Sequence, residues 1–145
     1  MSAAASLRIS ADLENLASIR RFVRENAAGL RQDQDALQAL IRAVDESVTN
    51  VIVHAYRGQP GSIEIALEEA EGCLVIRLRD QAAPFDPTGV PSPDVTSPLD
   101  ERPLGGLGIH LTRHLVDEMT YRPGPDGGNE LTLVKRIPRP HAGDG

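Results

Sequence analysis

The chain has 145 residues, which suits one domain with a real hydrophobic core but is short for two. Its formal net charge of −6 excludes a general nucleic-acid binder, and no apolar run approaches the roughly 20 residues of a membrane span. The composition, 40% hydrophobic and 25% charged, is typical of a globular protein. A single cysteine, Cys73, excludes an internal disulfide, and the N-terminus lacks a signal-peptide pattern, so we expect a cytoplasmic protein.

The first half of the chain predicts a short strand and two helices. Residues 7–10 form the strand, and Asp12 is placed to cap a helix whose apolar side chains recur at helical spacing. After a loop around Gly29, a longer amphipathic helix is predicted from about Gln34 to Tyr56. Glycines and a proline in residues 57–61 end this helix.

The second half begins with the two-residue period of strands. Alternation on both sides of the turn at residues 71–72 predicts two antiparallel strands. Residues 83–103 carry many prolines and little periodicity, which is typical of a functional lid or a disordered insert. A helix is predicted from Gly105 to Met119, a turn over residues 123–128 and a last strand around residues 131–135.

These elements predict an α+β fold: a two-layer sandwich in which helices pack on one face of a mixed, mostly antiparallel sheet. Residues 1–137 are expected to form the single domain, and residues 138–145 a disordered tail.

The first stretch with chemical potential lies on the second helix. Glu46 and Asn50 are four residues apart and project from one helix face, and His54 continues the row. A carboxylate beside a carboxamide suits activation of a hydroxyl and ligation of a hard cation. Spacing alone, however, favours a solvated polar stripe opposite the core face.

Two further stretches follow. Asp80 ends an alternating strand, where it either accepts a hydrogen bond at a pocket rim or only supports a turn, and Phe85 can anchor the loop after it. The glycine-rich segment 104–108 precedes a predicted helix, whose N–H groups and positive dipole end favour an anion. Each signal is weak by itself.

Taken in order, the three stretches resemble the N box and the two glycine boxes of the GHKL ATPase superfamily. The short chain and the wording of residues 45–56 narrow the resemblance to the anti-sigma-factor serine kinases. The resemblance runs from about Leu7 to Ile137 and implies a Bergerat-type α/β sandwich that binds ATP and Mg²⁺.

The resemblance also implies residue roles. Asn50 would coordinate the Mg²⁺ that bridges the ATP phosphates, Glu46 would be the general base, and Asp80 would accept the adenine amino group. The glycines of the second box would let a lid pack on the triphosphate. The implied catalytic residue is Glu46, and the implied nucleotide-binding residues are Asn50, Asp80, Ala82, Phe85, Gly105, Gly106, Leu107, Gly108 and Asn129.

Two positions depart from the family pattern. Ala82 stands where the family usually has glycine, and its methyl group would crowd the adenine or restrict the backbone. Gly128 is followed by Asn129 where many relatives have threonine, which leaves open the role of that side chain beside the adenine. Both departures bear on whether kinase activity is retained.

The expected function is that of an ATP-dependent serine/threonine protein kinase acting as an anti-sigma factor or partner-switching regulator. Its substrate would be a STAS-domain anti-anti-sigma antagonist, and its second partner a sigma factor or similar regulator. Homodimers are common in the family, and the N-terminal helix is the candidate interface. The alternative is a non-catalytic switch in which ATP only orders the lid and the protein sequesters a regulator.

Overall fold

One antiparallel sheet is the framework of the protein. The computed structural model describes residues 4–84, 112–125 and 127–137. Within these residues five strands lie in the order β1-β2-β3-β5-β4, and every neighbouring pair is antiparallel. The strands are β1 (Ala4–Ser10), β2 (Ser62–Ala70), β3 (Cys73–Asp80), β4 (Glu118–Pro123) and β5 (Asn129–Arg136), and the helices are α1 (Leu16–Asn26) and α2 (Gln34–Asn50).

Both helices cover one face of the sheet, which confirms the predicted α+β class. Alternate residues of β2 and β3 are buried, and they form one hydrophobic core with the apolar sides of α1 and α2. Asp33 caps α2 by accepting a hydrogen bond from the Ala36 amide at 3.0 Å. Asp12 caps a 3-10 turn that leads into α1, one turn earlier than the predicted helix start. None of the helices in the described ranges is long and apolar enough to cross a bilayer.

The β2–β3 hairpin sets the register of the site. Its turn residues, Glu71 and Gly72, have φ of 52° and 77°, as a type I′ turn requires. This register ends β3 at Asp80, which lies opposite Asn129 of β5.

The predicted helix that ends at Met119 is wrong at its C-terminus. Residues 112–115 are helical, but Met119 lies in β4, at the edge of the sheet. Leu115 and Met119 are four residues apart and therefore imitate a helical repeat, although Met119 alternates with Tyr121 on the inner side of a strand. The predicted lid and the glycine-rich segment fall within residues 85–111 and lie outside the described residues.

The end of the second predicted helix also differs. Helix α2 continues into a π-helical turn, Val51–Ala55, in which the Tyr56 amide donates to the Val51 carbonyl at 2.8 Å. This wider turn holds one residue more than an α-helical turn. The row of Glu46 and Asn50 therefore continues to Ala55, and the prediction that His54 extends it is wrong.

The open face of the sheet carries a row of alternating charges. Arg8, Glu64, Arg79, Glu130 and Arg122 occupy paired positions across all five strands. Arg122 Nε lies 2.6 Å from Glu130 Oε1, and Arg79 donates to the other oxygen, so that Glu130 is only 1% exposed. Although burial raises the pKa of the Glu130 carboxyl, the two arginine hydrogen bonds outweigh burial and lower it.

Candidate active site

A cavity lies between the C-terminal half of α2 and the strand ends that carry Asp80 and Asn129. It has about 470 Å³ of empty space, counting the part open to solvent, which suits a small-molecule ligand. The cavity is lined by Glu46, Ser47, Asn50, Val51, Ala55, Asp80, Thr112, Met119, Tyr121, Asn129 and Leu131. Four of the residues selected from the sequence, on α2, β3 and β5, therefore share one cavity.

Asn50 is the polar group of the cavity whose surroundings demand a ligand. Its side chain is 8% exposed, and its Oδ1 atom is buried without a hydrogen-bond partner among the described residues. An unpaired buried acceptor costs about 1–3 kcal/mol, which a bound cation or donor can recover. Glu46 lies one helical turn earlier and is half-buried at the same cavity. The interpretation of a solvated polar stripe is therefore wrong for Asn50, and the oxygen donor fits Mg²⁺.

Asp80 presents a buried carboxylate to the other side of the cavity. The residue is 5% exposed, and its Oδ1 atom accepts hydrogen bonds from the Ala82 amide and from Asn129 Nδ2, both at 2.9 Å. Burial raises the pKa of the Asp80 carboxyl, and the two hydrogen bonds act against this rise. Since both bonds end on Oδ1, Oδ2 is the oxygen that can accept from a ligand.

Asn129 links Asp80 to two other elements. Its Nδ2 atom also donates to the Ala83 carbonyl at 3.1 Å, and its Oδ1 atom accepts from the Tyr121 hydroxyl at 2.8 Å. The side chain that departs from the family pattern is thus built into the site. Sequence reasoning missed Tyr121, although its alternation with Met119 and the following Pro123 carried the signal of an edge strand.

Ala82 does not show either of its expected defects. Its methyl group is buried in the hydrophobic core, and the residue is not among those that line the cavity. It is also not among the residues with positive φ, so alanine is unstrained where glycine is usual in the family.

Two contacts fix the backbone around Asp80. The Tyr56 hydroxyl donates to the Ser62 carbonyl at 2.7 Å and accepts from the Gln81 amide at 2.8 Å, so the residue after Asp80 is tied to the end of the π-helical turn. Gly128 has φ of 76°, and a Cβ atom there would lie 1.9 Å from the Asp80 carbonyl oxygen. Glycine is therefore required at position 128.

The remaining predicted ligand-binding residues, Phe85, Gly105, Gly106, Leu107 and Gly108, lie outside the described residues, and their roles stay predictions. The chain resumes at Thr112, which is 1% exposed and lines the cavity. Sequence reasoning missed Thr112 because it lay within a helix judged only by its leucines.

Comparison with known proteins gives consistent matches. Residues 9–135 match the family described as the histidine kinase-like ATPase domain. The chain is 34% identical to the serine/threonine-protein kinase BtrW of Bordetella bronchiseptica over 96 residues, which are 66% of this chain and 67% of that protein. It is 28% identical to the serine-protein kinase RsbW of Bacillus cereus over 137 residues, covering 92% of this chain and 84% of that protein.

A solved structure shares the fold. The RsbU and RsbW domains of Rv1364c from Mycobacterium tuberculosis align with a TM-score of 0.66 and 20% sequence identity, over 95% of this chain. The present chain spans 33% of that longer one, and at this identity the likeness concerns the fold alone.

Proposed function

The chain belongs to the histidine kinase-like ATPase family, and on that premise we propose that it is an ATP-dependent serine/threonine protein kinase of a partner-switching system. Its relatives BtrW and RsbW are protein kinases that act on serine or threonine, which confirms the enzyme class expected from the motifs. The observation that carries the proposal is the unpaired, buried Oδ1 of Asn50, which lies in the same cavity as Glu46 and Asp80.

The cavity residues divide the chemistry among them. Asn50 would hold Mg²⁺, which when bound supplies neutralisation of the phosphate charge. Asp80 would accept a hydrogen bond from the amino group of the base through Oδ2 and so orient the nucleotide. Positioning of this kind accounts for much of catalysis in phosphoryl transfer, because little covalent chemistry falls to the protein.

Glu46 would act as the general base. A serine or threonine hydroxyl oxygen of the substrate protein forms a bond to the γ-phosphorus of ATP, and its proton passes to the Glu46 carboxylate. The bond from the γ-phosphorus to the bridging oxygen breaks, and ADP leaves with that oxygen. Half-burial suits this role, since the side chain meets both the cavity and solvent from which a protein substrate arrives.

The proposed protein partners follow from the family resemblance. The phosphate acceptor would be a STAS-domain anti-anti-sigma antagonist, and the regulator held in its absence a sigma factor or a similar protein. A homodimer in which α1 supplies the interface belongs to the same proposal.

The test measures phosphate transfer and ATP binding in one pair of variants. In Glu46→Gln, transfer from labelled ATP to the antagonist should fall by about 10²–10⁴-fold, while ATP affinity is retained. Asp45→Asn is the matched control, because the neighbouring carboxylate pairs with Arg20 and does not line the cavity. It should transfer phosphate at close to the wild-type rate.

Two results would contradict the proposal. Wild-type transfer by Glu46→Gln would place the base elsewhere. Nucleotide-dependent release of a partner by the wild-type protein, with no transferred phosphate, would establish the non-catalytic switch instead.

A further inference from the structure

We propose that Asn129, held in one orientation by Tyr121, is a specificity-determining residue that makes Asp80 select a base with an amino group and reject one with a carbonyl in its place. This inference rests on the proposed function, in which Asp80 contacts the base of the nucleotide. It concerns two residues of this chain that the family pattern does not provide.

The surroundings of Asn129 fix which end of its amide faces Asp80. The two ends of an amide are similar in shape, so their identity follows from the hydrogen-bond partners. Asp80 Oδ1, the Ala83 carbonyl and the Ala82 carbonyl lie 2.9, 3.1 and 3.5 Å from the same end, and all three are acceptors. This end must be the NH₂ group, because an oxygen there would face three other oxygens.

Tyr121 stabilises that orientation from the opposite side. Its hydroxyl lies 2.8 Å from the amide oxygen of Asn129 and donates to it. β4 therefore contributes to base recognition through a side chain that need not touch the base. Removal of the hydroxyl leaves the ring in place but removes the only printed donor to that oxygen within the described residues.

The orientation of Asn129 in turn controls what Asp80 offers to a ligand. Two N–H donors, from Ala82 and Asn129, converge on Oδ1, and both favour the ionised carboxylate over the protonated acid. An ionised carboxylate only accepts hydrogen bonds, whereas a protonated one can also donate. Oδ2 therefore matches an amino group and repels a carbonyl oxygen.

The charged groups around the cavity do not replace this contribution. Glu46 faces the cavity from α2 and Tyr121 from β4, and neither is a cation at neutral pH. Arg79, next to Asp80 in β3, pairs with Glu64 and Glu130 on the open face. Among the described residues no ion pair to Asp80 exists, so the two N–H donors are its counterweight to burial.

The experiment compares the affinities for ATP and inosine triphosphate, in which a carbonyl replaces the amino group of the base. Calorimetric titrations with Mg²⁺ present give the ratio of the two dissociation constants for the wild type, Asn129→Leu and Tyr121→Phe. In Asn129→Leu the preference for ATP should fall about tenfold, and in Tyr121→Phe by a smaller factor. The loss of preference on acidification should also occur at higher pH in Asn129→Leu, because Asp80 then takes up a proton more readily.

Asp80→Asn separates failure of this inference from failure of the proposed function. If Asp80→Asn binds both nucleotides as the wild type does, Asp80 does not contact the base, and the proposed base recognition is wrong. If Asp80→Asn loses the preference but Asn129→Leu and Tyr121→Phe weaken both nucleotides equally, the two residues only support the fold and the inference is overturned. Asn129→Asp, which keeps the shape of the side chain, replaces Asn129→Leu should the latter not fold, and its ratio must also fall.

Discussion

Replacement of Asn50 by leucine should have opposite effects on the free protein and on its response to nucleotide. The buried Oδ1 has no partner, so an apolar side chain of similar size removes a cost that we take as about 1 kcal/mol, the low end for an unpaired group. At about 2.1 cal/mol/K per residue, the unfolding entropy of 145 residues is about 0.3 kcal/mol/K. Asn50→Leu should therefore raise the Tm of the nucleotide-free protein by about 3 °C.

The nucleotide response should be lost in the same variant. Ligand at about 100 times its Kd stabilises the native state by about 2.7 kcal/mol, or about 9 °C on the same scale. Thermal melts with and without ATP and Mg²⁺ measure both effects. Thr49→Val is the matched control, because the neighbouring residue does not line the cavity and its variant should respond as the wild type does.

Either of two results would refute this reasoning. A lower Tm for nucleotide-free Asn50→Leu would mean that the amide oxygen has a partner in solution. An unchanged Mg²⁺-dependent shift with ATP would mean that Asn50 is not the cation ligand.

Three further predictions concern the groups that support the site. Gly128→Ala should destabilise the protein by about 2–4 kcal/mol in urea unfolding, because its methyl group would overlap the Asp80 carbonyl, whereas Gly72→Ala, at a similar φ in open space, should cost about 1–2 kcal/mol; equal costs would show that the overlap is relieved. Tyr56→Phe should lower stability by about 1–3 kcal/mol and weaken ATP binding, since two backbone groups lose their partner, and an unchanged ATP affinity would argue against its role beside Asp80. The pKa of Glu130 is lower in the folded state, so its carboxylate stabilises the protein above the ordinary glutamate pKa, and that stability is lost as pH falls through the folded value. The stability gap between wild type and Glu130→Gln should thus be largest at neutral pH and close on acidification, and a gap independent of pH would contradict this.

Much of the fold could be predicted from the periodicity of apolar residues. The strands around residues 63–79 and 131–135 and the helices that begin near residues 13 and 34 all have one buried face, which leaves a regular pattern in the sequence. β4 could not be separated from a helix, because an edge strand of six residues buries few side chains and Leu115 and Met119 happened to be four apart. The π-helical turn is equally invisible, since it changes one hydrogen bond without changing composition.

The candidate site was predictable only in part, for a different reason. Glu46 and Asn50 share a helix, so their proximity follows from spacing, and the strand-terminal place of Asp80 could be read from alternation. The contact between Asn129 and Tyr121 depends on the pairing of β4 with β5, which lies beyond local pattern. Ordered motifs located the cavity, but the hydrogen bonds that tune Asp80 required the register of three strands.

The π-helical turn also sets the tolerance of this segment to changes in chain length. Tyr56 reaches Ser62 and Gln81 only because one extra residue has been taken up between Asn50 and the end of the helix. Deleting a single residue within positions 51–55 would let the turn relax to α-helical geometry and rotate all that follows by about 100°. The hydroxyl would leave both partners, and Gly61, against which the Tyr56 ring packs, would lose its neighbour. This segment should accept substitutions far more readily than insertions or deletions.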